Sequence, residues 1–290
     1  MMRATTPSHP RGWLPAALAL ALLLAVPGLV APGLQPAQGA APAVQPAGPP
    51  HPGDLEALIA PYRDSLEVEM GEVLAVCPVD MREGEPEGLL GALVCDIVLA
   101  RARAATDLPV DACVLNNGGL RAALPAGPVT LGQVYEVMPF DNEIVLLHFS
   151  GEEVRTLADQ IATAGGEPVA GMSFAIEEGR AAQVRIGPPG GGEPIGDREY
   201  LIATSDYLAS GGGNMSVLWN RNEKPVLTGV LVRDAMISAF RSFGERGAPA
   251  GDAGELGGSG ALRKAGADGR NRGPLPVPEM GRIRLARGGG

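Results

Sequence analysis

The chain has 290 residues, 45% of them apolar, which is enough to bury a core, but only 4% are aromatic. A formal charge of −10 excludes non-specific binding to nucleic acid or to an anionic membrane, because both need a basic face. Gly (42) and Pro (27) are in excess and crowd the first 50 residues, 187–194 and 244–274, so the remainder has the composition of about one ordinary domain.

In chain order, residues 1–40 read as a secretory signal. Arg3 and Arg11 supply the positive start, Trp13 to Val30 the apolar run, and Ala37 to Ala41 the small residues for cleavage. Pro15, Pro27 and Gly28 break the run, leaving it shorter than the roughly 18–20 clean apolar residues of a membrane span. The mature chain is therefore expected to be secreted or periplasmic, with no membrane contact after cleavage. Residues 41–52 read as a disordered Ala/Pro/Gly linker. Cys77, Cys95 and Cys113 are an odd number without a CxxC pair, which predicts small buried hydrophobes and no zinc site.

The domain is expected over 53–285, with a low-complexity insert at 244–274 and a short tail at 286–290. Leu55, Leu58, Ile59 and Tyr62 predict an amphipathic helix, and Glu72 to Val79 a strand. Gly88 to Ala104 is apolar on more than one face, so it predicts a deeply buried helix. A short strand over Asp111–Leu115 runs into Asn116-Asn117-Gly118-Gly119. Thr130 caps a helix that Pro139 stops. Glu143–Phe149 predicts a second buried strand. Ser150 and Glu153 form a capping box for the helix after it. Ser173–Ile176 and Gln183–Ile186 predict a strand pair, Glu199–Thr204 a strand, Gly229–Phe243 a helix, and Met280–Leu285 a last strand. Strands and helices mix without a strict βαβ rhythm, so the fold class is α+β.

Six pieces, in order, resemble the C-terminal domain of the 5'-nucleotidase family. They are Glu87 with Leu90-Gly91-Ala92-Leu93 and Asp96; Asn116-x-Gly118-Gly119-Leu120-Arg121; Met138-Pro139-Phe140-x-Asn142; Leu147 with Ser150-Gly151; Tyr207-Leu208-Ala209-x-Gly211-Gly212; and Gly281-Arg282-Ile283. The resemblance implies a layered α/β/β/α domain that binds a nucleotide or nucleoside. It implies that Asn116 and Asn142 bond base or sugar, that Arg121 meets phosphate, and that Phe140 is one face of an aromatic sandwich. Gly118 and Gly119 would let the backbone come close. The chemistry fits these roles: a guanidinium fork matches phosphate oxygens, and stacking a base on an aromatic is worth about 1–3 kcal/mol. From the residues alone, Asn116 can also simply close a turn, and Phe140 can equally fill the core.

Two departures stand beside the matches. The family's hydrolytic centre lies in a separate N-terminal domain holding two divalent metals, and the only histidines here are His9, His51 and His148, so no catalytic or metal-ligating residue is expected. Met215 stands where the family carries the second stacking aromatic, in Gly211-Gly212-Gly213-Asn214-Met215. Three readings follow. One is an exported binding module, catalytically silent alone and without a cofactor. Another is the substrate half of a phosphohydrolase whose metals sit in a separate metallophosphoesterase chain. The third is a degenerate interaction domain without ligand.

Overall fold

In a computed structural model, residues 52–221, 223–247 and 272–286 are described. The expected signal, most of the linker, the centre of the insert and the last four residues lie outside them. The elements begin with α1 (Pro52–Met70), β1 (Val73–Cys77), α2 (Leu89–Ala105), β2 (Val110–Val114), β3 (Gly127–Thr130) and α3 (Leu131–Val137). They continue with β4 (Glu143–Ser150), α4 (Gly151–Thr163), β5 (Val169–Ala170), β6 (Met172–Glu177), β7 (Arg180–Ile186) and β8 (Glu193–Pro194). The last are β9 (Glu199–Ser205), α5 (Asp206–Ala209), β10 (Val226–Leu231), α6 (Val232–Gly247) and β11 (Ile283–Leu285).

A five-stranded sheet of order β10-β4-β9-β2-β5 forms the centre. Both faces of its central strands are buried, and strand alternation divides them. Ile144 and Leu146 of β4 and Leu201 and Ala203 of β9 join α2, α3, α6 and β1 in one core. Leu147 and Phe149 of β4 and Tyr200 and Ile202 of β9 face the other way, onto α4 and β6. Successive strand side chains point to opposite faces, so β-branched and aliphatic residues at every position make a sheet that is covered twice. A four-stranded sheet of order β11-β6-β7-β8 flanks the second core, and β1 pairs with β3 on the first side.

Local chemistry sets several boundaries. Thr130 and Gln133 form a reciprocal capping box at α3, and Ser150 and Glu153 form one at α4. The β6–β7 hairpin turns on Glu178 and Gly179 with φ of 50° and 77°, the two left-handed residues that a tight hairpin requires. The expected helix from Gly229 starts later, at Val232, because Val226–Leu231 pairs with β4 as an edge strand. Gly229, at φ 70°, falls where that pairing loses register, so a glycine expected inside a helix marks an irregularity in a strand. At the other end α6 runs to Gly247, further into the expected insert than composition suggests. The Gly273 carbonyl accepts from Val76 N–H at 3.0 Å, and Leu275 N–H donates to Val76 O at 2.8 Å, so the chain returns as a pairing segment. The three cysteines are free and buried. Burial pushes the Cys113 thiol well above its ordinary range, as an inert core thiol should be.

A buried arginine holds distant segments together. Arg282 is 4% exposed and donates to Ala92 O, Val169 O and the Asp96 carboxylate. The Glu87 carboxylate accepts from Gly281 N–H and Ile283 N–H. Glu87, just before α2, and Asp96, within it, thus lock β11 into its parallel place beside β6.

Candidate functional site

β2 and β9 run parallel and β4 antiparallel to β9, so β2 and β9 end where β4 begins. Asn116 follows β2, Asn142 precedes β4, and Ser205 ends β9. All three line one small pit with Gly119, Met138 and Gly91 of α2. Two strand ends and a strand start thus bring together residues far apart in sequence. The pit encloses only ≈10 Å³, room for one water at most, so a flat ligand would rest across it and not inside it.

The Asn116 loop is a single 3₁₀ turn, Asn117–Gly119, and Asn116 is its N-cap without a side-chain cap bond. Gly118 and Gly119 act through space, since neither adopts a left-handed φ. A Cβ at Gly118 would lie 3.2 Å from Asn116 Nδ2, and one at Gly119 3.3 Å from Asn116 Oδ1. The pair thus leaves room for the Asn116 amide to lie across the turn. Asn117, which the motif leaves unspecified, anchors the loop: its N–H donates to Glu167 at 2.6 Å and its Nδ2 to Gly166 O at 3.3 Å. Burial lifts the Glu167 carboxyl above the ordinary carboxylate range; the Asn117 bond opposes this and neighbouring Glu85 adds to it. Arg121 is exposed, and its guanidinium donates back to Gly118 O at 3.2 Å.

The Met138–Asp141 loop is clamped from beneath by Arg233 at the start of α6. Arg233 is 8% exposed, lies 4.5 Å over the Tyr135 ring, and donates to Met138 O, Phe140 O and the Asp141 carboxylate. Phe140 is 43% exposed, which removes the core-filling alternative. Asp206 ties the two strand ends: its carboxylate accepts from Glu143 N–H at 3.1 Å and Tyr207 N–H at 2.7 Å.

Met215 differs from the position expected of it. It is 2% exposed and packs in the second core with Leu208 and Leu218, away from the open edge. Two aromatics in the segment after β9 are exposed, Tyr207 at 50% and Trp219 at 45%. A Cβ at Gly212 would overlap the Tyr207 ring, and one at Gly211 would lie 3.8 Å from Trp219, so each ring lies on a glycine backbone. The structure therefore gathers Asn116, Gly118, Gly119 and Asn142, sets Phe140 and Arg121 exposed on the same two loops, and withdraws Met215. Sequence reading missed Ser205, Asp206 and Arg233 and gave Asn117 no role of its own; only the Ser-Asp-x-Leu start of α5 gives a local signal, a helix cap. Among the described residues, no three His, Cys, Asp or Glu side chains group to hold a metal ion, and no helix is long and apolar enough to cross a membrane.

Comparison with known proteins converges. The family model "5'-nucleotidase, C-terminal domain" matches residues 67–220. A 5'-nucleotidase of Vibrio parahaemolyticus is 33% identical over 131 residues, covering 42% of this chain and 21% of its own. Protein UshA of Salmonella pullorum is 29% identical over 166 residues, covering 53% of this chain and 28% of its own. Endonuclease YhcR of Bacillus subtilis is 28% identical over 202 residues, covering 65% of this chain but 16% of its own. The chain thus spans well under a third of the length of these relatives. Among solved structures, a 5'-nucleotidase precursor from Thermus thermophilus shares the fold with a TM-score of 0.61 at 24% identity, over 80% of this chain and 43% of that one.

Proposed function

The chain belongs to the 5'-nucleotidase C-terminal domain family, and from that membership we propose that it is an exported nucleotide- or nucleoside-binding domain serving nucleotide breakdown. The observation that carries this reading is the convergence of Asn116, Gly119, Asn142 and Ser205 on one pit at three strand ends. Asn116 and Asn142 supply amides for base or sugar edges. Phe140 supplies a face for the base, with Tyr207 in the part that Met215 was expected to play. Arg121 supplies a guanidinium for phosphate, swinging from its bond to Gly118.

The domain by itself is proposed to be catalytically silent and to need no cofactor. Divalent metals would belong to a metallophosphoesterase partner, made as a separate chain, that acts on the phosphate this cradle presents. In the relatives the matched stretch is a minor share of the chain, as in the "trifunctional nucleotide phosphoesterase protein" of Bacillus subtilis, of which it covers 10%, so there the domain stands beside others. Export follows from the apolar, Arg-flanked start at 1–40.

Calorimetry with AMP and adenosine tests the proposal. Arg121→Ala is expected to weaken AMP by about tenfold, one charge-assisted contact, and to leave adenosine unchanged. Equal loss for both ligands means that Arg121 does not meet phosphate. Heat from neither ligand at millimolar concentration means that the binding reading is wrong.

A further inference from the structure

Among the described residues, two apolar surfaces of this chain are left open, and they match each other. The first is α1. Leu55, Leu58, Ile59, Tyr62 and Leu66 are 49%, 65%, 39%, 76% and 53% exposed. They recur at i, i+3, i+4, i+7 and i+11, the apolar stripe of a helix that packs on other helices. Glu56, Asp64 and Glu67 on the same helix are exposed, and its one arginine, Arg63, pairs with Glu56 at 2.5 Å. Large side chains thus stand on an acidic helix.

The second surface is a groove of ≈470 Å³ between α2 and α6, much larger than the pit at the strand ends. It is lined by Leu93 to Ala104 on α2 and by Ala235 to Arg246 on α6, each at the same i, i+3, i+4, i+7, i+8, i+11 spacing, with Pro276 and Pro278 of the returning segment at its side. Eleven residues of helix rise about 17 Å, so stripe and groove agree in length. They are also complementary in size. Ala100, Ala104, Ser238, Ala239 and Ser242 leave hollows, and α1 carries the Leu, Ile and Tyr that fill hollows. They are complementary in charge as well. Arg101 and Arg246 line the groove, while the Asp96 carboxylate there is paired with Arg282.

We propose that α1 of a second copy of this chain lies in the α2–α6 groove, so that the protein self-associates by reciprocal helix-in-groove docking. The charges decide against the simpler pairing of α1 with α1, which would set acidic helices side by side, whereas α1 in the groove sets acid beside arginine. The proposal is independent of ligand binding at the strand ends.

Sedimentation equilibrium of the purified chain tests it. The expected result is concentration-dependent association that weakens as salt is raised. Leu58→Asp on the stripe, or Arg101→Glu with Arg246→Glu in the groove, is expected to weaken it at least about tenfold. Adding Asp64→Lys and Glu67→Lys to the groove variant is expected to restore part of the loss. All of these positions are on the surface, so circular dichroism should be unchanged. A monomer at every concentration up to about 100 µM overturns the proposal. So does association that strengthens with salt and ignores the groove substitutions, the signature of α1 pairing with α1.

Discussion

At the residue scale, the site rests on a division between side chains that meet solvent and side chains that hold loops still. Met215 and Tyr207 make the division testable. Met215→Ala empties a fully buried position and should cost about 2–5 kcal/mol in chemical denaturation while leaving AMP affinity of the folded protein unchanged. Tyr207→Ala should do the reverse, lowering affinity by about 1–3 kcal/mol with little loss of stability beyond that of a half-exposed ring. Glu167 offers a second test. Its folded-state carboxyl titrates above the unfolded value because it is buried, so it favours the fold fully below the unfolded pKa and loses that contribution as pH rises through the folded one. Glu167→Gln keeps an acceptor for Asn117 N–H and removes the buried charge. The melting temperature of the variant is therefore expected to gain on the wild type as pH is raised from 4 to 8, about the range over which carboxylates ionise. A gain toward low pH instead would mean that the Asn117 bond outweighs burial.

At the element scale, what was legible in the sequence was local. The capping boxes at Thr130 and Ser150 and the burial of α2 on nearly all sides follow from neighbours within one or two turns. What was not legible depends on distant partners. β10 holds a glycine and borders a long helical pattern, and only the edge of β4 makes it a strand. Arg233 and Arg282 look like ordinary surface cations until the loops that they serve are folded against them. Met215 sits in a Gly-rich run that offers no period from which burial can be read. The Arg282 tie carries an expectation of its own. Arg282→Ala strips the Ala92 and Val169 carbonyls of their donor and should cost about 3 kcal/mol, whereas Asp96→Asn, at a carboxylate that is half in solvent, should cost about 1 kcal/mol. Equal costs measured by urea denaturation would show that the ion pair, and not the carbonyl capture, holds β11.

At the scale of the whole molecule, one sheet covered on both faces leaves its strand ends as the place where loops from distant parts of the sequence can meet. β2, β4 and β9 are central, so their ends are held by both cores, while the loops beyond them are free to vary. That arrangement brings residues from Asn116 to Ser205 to one place. The α2–α6 groove is lined by other residues than the pit at the strand ends. Backbone amide NMR during a titration with AMP distinguishes the two surfaces and tests the central claim most directly. Saturable shifts are expected at Asn116–Arg121, Phe140–Glu143 and Ser205–Gly212, with Ala100 and Ala239 unmoved. No saturable shift at millimolar AMP, or shifts confined to the groove, would contradict the account.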